Sequence, residues 1–72
     1  MQKYKIELVT NSDINDFVKI VSKVEGEIKL IDDTGLCVNA KSLLGVLYTI
    51  EWDNLYCISE HDIYSKIEKY IK

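Results

Sequence analysis

The chain has 72 residues, a net charge of −3 and an apolar content of 47%. This length predicts one domain over residues 1–72, with enough apolar residues for a single core. The acidic balance, with charges of both signs well mixed, excludes a dedicated binder of nucleic acid or anionic membranes and is not typical of a disordered chain.

The first half of the chain is predicted to form a strand, a helix and a second strand. Residues 3–9 alternate polar and apolar side chains, which indicates a half-buried strand. Apolar residues then recur at helical spacing over about three turns, which predicts a helix with Ser12 or Asn11 as its N-cap and Gly26 at its left-handed exit. Residues 27–31 alternate again and predict the second strand.

The middle of the chain is predicted to complete a hairpin and begin a short helix. Residues 32–35, Asp-Asp-Thr-Gly, have the composition of a turn, so residues 27–38 are predicted to form a β-hairpin. Residues 42–49 are predicted to form a short helix, and residues 51–54 a connecting turn. Residues 55–58 are then predicted to form the fourth strand.

The last segment is predicted to be a helix that continues to residue 72. Ser59 and Asp62 have the spacing of a capping box, and they precede a stripe of apolar residues at helical spacing, namely Ile63, Ile67, Tyr70 and Ile71. The predicted order is therefore β-α-β-β-α-β-α. Alternating strands and singly striped helices favour an α+β fold, a two-layer open-faced sandwich with a four-stranded antiparallel sheet covered by helices on one face.

One stretch resembles a known family signature. Residues 38–47 read Val-Asn-Ala-Lys-Ser-Leu-Leu-Gly-Val-Leu, which is similar to the V-N-x-K-S-[ILM]-[ML]-G-[VIL]-[ML] motif of the HPr family, the small phosphocarrier proteins of the bacterial sugar phosphotransferase system. Residues 17–30 look like that family's first helix and second strand. The resemblance implies an HPr-like fold, with phosphotransferase-system enzymes, a serine kinase or a transcriptional regulator as partners.

The chain departs from the family at the phosphate-carrying loop. The family carries phosphate on a histidine in a T-G-x-H-A-R-P loop before the first helix, whereas residues 9–14 here read Val-Thr-Asn-Ser-Asp-Ile. Asp13 would repel a phosphoryl group at that place. The one histidine of the chain, His61, is predicted in the first turn of the last helix, remote from that loop. We therefore expect no histidine phosphocarrier activity of the familiar kind, and we expect the chain not to be an enzyme.

Ser42 is the candidate for regulatory phosphorylation. In many family members the serine of this motif is phosphorylated by an ATP-dependent kinase, and the resemblance implies the same for Ser42. A phosphate would add about −1.5 to −2 charges at the start of a helix, where an anion is favoured. The alternative is that Ser42 only caps the helix, a role worth about 1 kcal/mol that is sufficient to explain a serine here.

Leu43, Leu44 and Leu47 are the candidate partner-binding residues. The resemblance implies that apolar residues on this helix are partly exposed and contact partners, and an exposed apolar patch is a known mark of an interaction surface. We expect Leu43, Leu44 and Leu47 to be at least partly exposed, with Val46 and Ile50 buried. Tyr48 and Trp52 are candidates to extend the patch. Gly45 is predicted either to permit close packing or to admit a partner's backbone.

No residue pattern indicates a catalytic centre, a metal site or a cofactor. Cys37 and Cys57 lie on predicted strands and are expected to be inert, buried residues. No run approaches the roughly 18 apolar residues of a membrane span, and the N-terminus lacks a signal-peptide core, which predicts a cytoplasmic protein without membrane contact.

Two functions follow from these observations, together with a simpler alternative. The first is a regulatory or adaptor domain that docks partners through residues 42–47. The second is a degenerate phosphocarrier in sugar transport, with His61 as the acceptor. The alternative is a small structural module that forms a two-fold interface with a second copy.

Overall fold

The computed structural model describes all 72 residues as a four-stranded antiparallel sheet with three helices on one face. The α+β class and the order predicted from the sequence are confirmed. The elements are β1 (Gln2–Ile6), α1 (Asn11–Ser22), β2 (Ile28–Ile31), β3 (Cys37–Asn39), α2 (Leu43–Tyr48), β4 (Leu55–Ser59) and α3 (Tyr64–Ile67), with 3-10 turns at Thr49–Glu51 and Glu68–Tyr70. No helix of this fold is both long and apolar enough to cross a bilayer.

The sheet has the strand order β1-β4-β2-β3, with the last strand of the chain in its interior. In the register of the sheet, Ile6 is opposite Leu55, and Leu30 lies between Cys57 on one side and Val38 on the other. β3 is a short edge strand, since it pairs only with β2. On the other edge, Ile71 forms a bridge with Ile6, so the C-terminal residues cover part of β1.

The core lies between the sheet and the helices. Alternate residues of β2 and β4 face the helices and are buried, as the period of two in a strand requires. Phe17 of α1 packs edge-to-face against Tyr70, with 5.9 Å between ring centroids. The full core cluster comprises Ile6, Ile14, Phe17, Val21, Ile28, Leu30, Ala40, Val46, Leu55, Cys57, Ile63, Ile67 and Tyr70.

The N-terminus of α1 is capped by Thr10, so the prediction of Ser12 or Asn11 was wrong. The Thr10 hydroxyl accepts the backbone N–H of Asp13 at 3.0 Å, and the Asp13 carboxylate accepts the backbone N–H of Thr10 at 3.1 Å. This reciprocal pair satisfies two backbone donors at once, which a cap from Ser12 would not do. The helix ends at Ser22, and Gly26 takes its left-handed conformation (φ +95°) in the following loop.

The β2–β3 turn is confirmed in its predicted place. The Asp32 carboxylate accepts the backbone N–H groups of Thr34 and Leu36, each at 2.9 Å, and Gly35 supplies the positive φ of +98°. Desolvation is the largest single effect on the pKa of Asp32, and it raises that pKa. The hydrogen bonds that the ionised carboxylate accepts outweigh it together, so the pKa of Asp32 is lowered.

The C-terminal helix is shorter than predicted, and its capping box does not form. α3 begins at Tyr64 without a side-chain cap, because Ser59 accepts the N–H of His61 and Asp62 accepts the N–H of Tyr64. The chain then tightens into a 3-10 turn, which ends in time for Ile71 to bridge to β1. The predicted apolar stripe is nevertheless buried at Ile63, Ile67 and Tyr70.

Candidate functional site

Ser42 is the N-cap of α2. Its hydroxyl accepts the backbone N–H of Gly45 at 3.2 Å, and its carbonyl oxygen accepts the N–H of Val46 at 2.9 Å. Its own N–H donates to the carbonyl oxygen of Asn39 at 3.1 Å, which ties the cap to the end of β3. Ser42 is half-buried, and in the unmodified chain its hydroxyl performs the capping role.

The loop before Ser42 is held by polar contacts of its two preceding residues. The Asn39 side-chain oxygen accepts the backbone N–H of Lys41 at 2.9 Å. The Lys41 Nζ donates to the carbonyl oxygen of Val24 at 2.6 Å, so a carbonyl rather than a carboxylate is the partner of this ammonium group. The start of α2 is therefore anchored both to β3 and to the loop after α1.

Gly45 allows α2 to pack closely on β3. A Cβ at this position would lie 3.4 Å from the Asn39 carbonyl oxygen, the Val38 Cβ and the Ser42 Cβ. Two of these three atoms belong to β3, the strand that α2 packs against. Of the two interpretations of Gly45, the structure supports close internal packing.

The outer face of α2 presents a patch of exposed apolar side chains, as predicted for its three leucines. The exposed fractions of these residues are 43% for Leu43, 66% for Leu44, 39% for Leu47 and 68% for Tyr48, whereas Val46 is fully buried. We call these four exposed residues the α2 patch. Small monomers rarely expose large apolar residues next to one another without an interaction role.

Ile50 was predicted to be buried and is instead exposed. The prediction continued the helical spacing of α2 through residue 50, but the chain enters a 3-10 turn at Thr49. Three residues per turn instead of 3.6 change the side-chain direction, so Thr49 faces the core and Ile50 faces outward. The buried Thr49 hydroxyl is satisfied because it donates to the carbonyl oxygen of Val46 at 2.7 Å.

A shallow apolar groove of about 310 Å³ adjoins the α2 patch. It lies between the edge of the sheet and the end of α2, and Leu36, Cys37, Val38, Tyr48, Glu51 and Trp52 line it. Two segments that are separate in the sequence form its walls, so the spacing along the chain gave no indication of it. Tyr48 and Trp52, the two residues predicted to extend the patch, both line this groove.

The two cysteines differ, and the prediction that both are buried was wrong for Cys37. Cys37 is exposed because it belongs to the edge strand and its side chain points to the uncovered face of the sheet. Cys57 lies in the interior strand β4 and faces the helices. Burial raises the pKa of the Cys57 thiol to about 12, so this thiol stays protonated and unreactive at neutral pH.

The uncovered face of the sheet places Lys29 beside Lys3 and Lys5, which the spacing along the chain does not indicate. Lys3 and Lys29 flank Ile58 in register, and Lys5 is opposite Tyr56. The Lys3 Nζ lies 4.6 Å from the centre of the Tyr56 ring, a cation–π distance. This face is therefore more basic than the net charge suggests.

His61 lies in the loop between β4 and α3, not in the first turn of a helix as predicted. It is exposed, and its backbone N–H donates to the Ser59 hydroxyl at 3.3 Å. The Asp13 carboxylate lies at the start of α1, the place where the resemblance to the HPr family would imply a phosphate site. Hydrogen bonds from the N–H groups of Val9 and Thr10 lower the pKa of Asp13 and keep it ionised.

A polar cluster joins α1 to the C-terminal segment. The Tyr70 hydroxyl donates to the Asp16 carboxylate, and the Lys69 Nζ lies 2.6 Å from the same carboxylate oxygen. Lys69 and Tyr70 lower the pKa of Asp16, while burial and the neighbouring carboxylate raise the pKa of Tyr70 to about 12. We interpret this cluster as structural, because it fixes the Tyr70 ring against Phe17 in the core.

No group of three or more histidine, cysteine, aspartate or glutamate side chains has the arrangement of a metal site. Comparisons of the chain with family models, with curated proteins and with solved structures give no match. The resemblance of residues 38–47 to the HPr signature therefore remains a prediction from the sequence.

Proposed function

We propose that this chain is an HPr-like adaptor or regulatory domain of the bacterial cytoplasm, which docks protein partners through the α2 patch. The observation that carries the proposal is the exposure of Leu43, Leu44 and Leu47 beside the buried Val46. A six-residue helix needs only a narrow apolar stripe to attach it to the core, and Val46 provides it. The three leucines are therefore in excess of what the fold requires.

Two further features support a docking role for this surface. Ser42 and Lys41 are anchored by hydrogen bonds, so the helix that presents the patch is fixed before any partner arrives. Pre-organisation of this kind lowers the entropic cost of binding. The exposed apolar side chains are also concentrated in one region of the chain. The helix α2 and the following turn expose five of them, namely Leu43, Leu44, Leu47, Tyr48 and Ile50.

Ser42 is the proposed switch of this surface. A phosphate on its hydroxyl would place a charge of about −2 next to Leu43 and Lys41. The patch would then change from neutral to strongly acidic at one end, which disfavours an apolar or acidic partner surface and favours a basic one. Partners of the unmodified and the phosphorylated chain would differ for this reason.

The docking role is tested by affinity capture with quantitative mass spectrometry. The wild-type chain is compared with the double variant Leu44→Ser, Leu47→Ser and with Tyr64→Ser, which removes an exposed aromatic ring from α3 and serves as the matched control. We expect specific partners, phosphotransferase-system proteins among them, to be lost with the double variant and kept with the control. Equal capture by all three forms would contradict the proposal.

The switch is tested by two incubations followed by mass spectrometry. With ATP and the serine kinase of the phosphotransferase system, we expect an acid-stable phosphoryl adduct that is absent in Ser42→Ala. With phosphoenolpyruvate and the first enzyme of that system, we expect no acid-labile adduct. An acid-labile adduct that disappears in His61→Ala would instead support the phosphocarrier function.

A further inference from the structure

The outer edge of β3 carries backbone groups that the rest of the chain leaves unpaired. The Leu36 carbonyl oxygen accepts the N–H of Asp32, and Ala40 donates its N–H to the Ile28 carbonyl oxygen. The backbone groups of Leu36 and Ala40 therefore face β2. In an antiparallel pair of strands the direction of the backbone hydrogen bonds alternates along the chain. The N–H and C=O groups of Val38 therefore also face β2, while those of Cys37 and Asn39 point away from it.

Only one of these outward groups has a partner. The Asn39 carbonyl oxygen accepts the N–H of Ser42. The N–H and C=O of Cys37 and the N–H of Asn39 remain, and together they form the donor–acceptor–donor pattern to which another strand can pair. Cys37 and Asn39 are both exposed, so a partner has access to this edge.

The apolar groove described above lies beside this edge on the helical side of the sheet. The side chains of Leu36 and Val38 face that side, because they alternate with the Cys37 side chain, which lies on the uncovered face of the sheet. Leu36 is 54% exposed, and Tyr48 forms the opposite wall. A strand added outside β3 would therefore place every second side chain over an apolar surface.

The charge around the groove indicates what such a strand would contain. Glu51 is the only charged residue that lines the groove. A basic side chain in the bound segment complements this acidic residue. The β3 strand of a second copy has no basic residue, so self-pairing lacks this complement.

We propose that β3 receives an extended segment of a partner protein as a fifth strand, with alternate apolar residues in the groove and a basic residue near Glu51. This inference rests on the proposed docking function and specifies how the partner is held. Main-chain hydrogen bonds to Cys37 and Asn39 supply part of the affinity, and the groove supplies the preference for particular side chains.

The probe is a phage-displayed library of random peptides selected on the full chain. We expect the selected peptides to share alternating apolar residues and a basic residue. Their dissociation constants are then measured by fluorescence anisotropy for the wild type, Cys37→Ser and Cys37→Pro. Serine keeps the outward N–H, whereas proline removes it without touching the hydrogen bonds to β2. We expect affinity within about twofold for serine and about tenfold weaker binding for proline.

Amide hydrogen exchange provides a test that needs no substitution. In the wild-type chain saturated with a selected peptide, we expect the amides of Cys37 and Asn39 to exchange at least about tenfold more slowly than in the free chain. Unchanged exchange, or a helical consensus among the peptides, would overturn the inference. The inference also fails if no peptide prefers the wild type to Tyr48→Ser. Slowed exchange in a concentrated sample of the chain alone, with the mass of a dimer, would show that a second copy is the occupant.

The same samples separate this inference from the proposed docking function. Binding that is lost in Leu44→Ser, Leu47→Ser but leaves the Cys37 and Asn39 amides unprotected would retain the docking function and refute strand addition. Peptides whose affinity is unchanged both by Leu44→Ser, Leu47→Ser and by Cys37→Pro would refute the docking function as well as strand addition.

Discussion

Ser42 illustrates how one residue can hold a structural role and a proposed regulatory role at the same atom. Its hydroxyl accepts the Gly45 N–H and so satisfies one of the free donors at the start of α2. Phosphorylation would modify that same oxygen. The structural role can be measured separately, because aspartate is also a good N-cap but cannot be phosphorylated by a serine kinase.

We therefore expect Ser42→Ala to lower the free energy of unfolding by about 1 kcal/mol, because the Gly45 N–H loses its partner. Ser42→Asp is expected to keep the wild-type stability within about 0.5 kcal/mol, since its carboxylate accepts the same hydrogen bond. Urea unfolding of the three proteins provides the measurement. Equal stability of the alanine and aspartate variants would show that the cap is not important.

The two thiols should differ in reactivity because only Cys37 is exposed. We expect one thiol per chain to react with a disulfide reagent under native conditions and two in denaturant. Cys37→Ser is the control, and it should react only after unfolding. Rapid native reaction of two thiols would contradict the burial of Cys57.

Because of Cys57, we also expect the free energy of unfolding to decrease as the pH becomes alkaline. Its pKa is 9.0 as an ordinary thiol and about 12 in the fold, so the unfolded chain loses this proton first. The contribution to stability is complete below pH 9 and is lost as the pH rises toward 12, by at most about 1.4 kcal/mol per pH unit. Tyr70 acts in the same direction, since its pKa is also raised to about 12.

We expect the urea midpoint of the wild type to fall between pH 9 and pH 11, and that of Cys57→Ala to fall less steeply. Alanine removes the ionisable group but leaves a small cavity, so the comparison uses the slope with pH and not the absolute stability. Parallel slopes in the two proteins would show that Cys57 ionises as easily in the fold as in the unfolded chain.

At the scale of single elements, α1 shows what the sequence could and could not predict. The apolar spacing located the helix, but four consecutive polar residues, 10–13, all have side chains that can cap it. The spacing of Thr10 and Asp13 contained the decisive signal, because only a pair three residues apart can cap reciprocally. The position of a cap thus depends on a pair of residues, whereas our prediction considered single residues.

We expect Thr10→Ala to lower the free energy of unfolding by about 1 kcal/mol, because the hydrogen bond to the Asp13 N–H is lost. Ser12→Ala is the matched control and should change stability by less than about 0.5 kcal/mol, as for other exposed positions. The measurement is urea unfolding at neutral pH. The reverse ranking would restore Ser12 as the cap.

α2 shows the same limit at its other end. The expectations that Val46 is buried and that the three leucines are exposed, the second of which came from the family resemblance, agree with the structure, but the helical spacing failed at Ile50. The change to a 3-10 turn at Thr49 depends on the packing of that side chain in the core, which is a tertiary effect. Local periodicity could not indicate it.

At the scale of the whole molecule, the alternating strands were sufficient to predict the α+β class and the order of elements. The strand order β1-β4-β2-β3 was not predictable from local patterns, and it decides which residues are exposed. Cys37 is accessible because β3 is an edge strand. The groove exists because this edge meets the end of α2, so the largest missed feature of the site is a consequence of topology.

The same arrangement separates residues that hold the fold from residues that we propose bind partners. We expect Val46→Ala to lower the free energy of unfolding by roughly 2 kcal/mol, because a fully buried side chain is truncated. Leu44→Ala should change it by less than about 0.5 kcal/mol, since Leu44 is mostly exposed. Urea unfolding distinguishes the two, and a large loss for Leu44→Ala would assign the patch a structural role.

The central claim is that partners bind at the α2 patch, and an NMR titration of the leucine methyl groups with a captured partner tests it most directly. We predict that the methyl signals of Leu43, Leu44 and Leu47 shift or broaden first, while those of the buried Leu30 and Leu55 stay unchanged. Amide signals of Lys3, Lys5 and Lys29 report on the uncovered face of the sheet in the same spectra. Perturbation confined to those lysines, with the α2 leucines unaffected, would contradict the account.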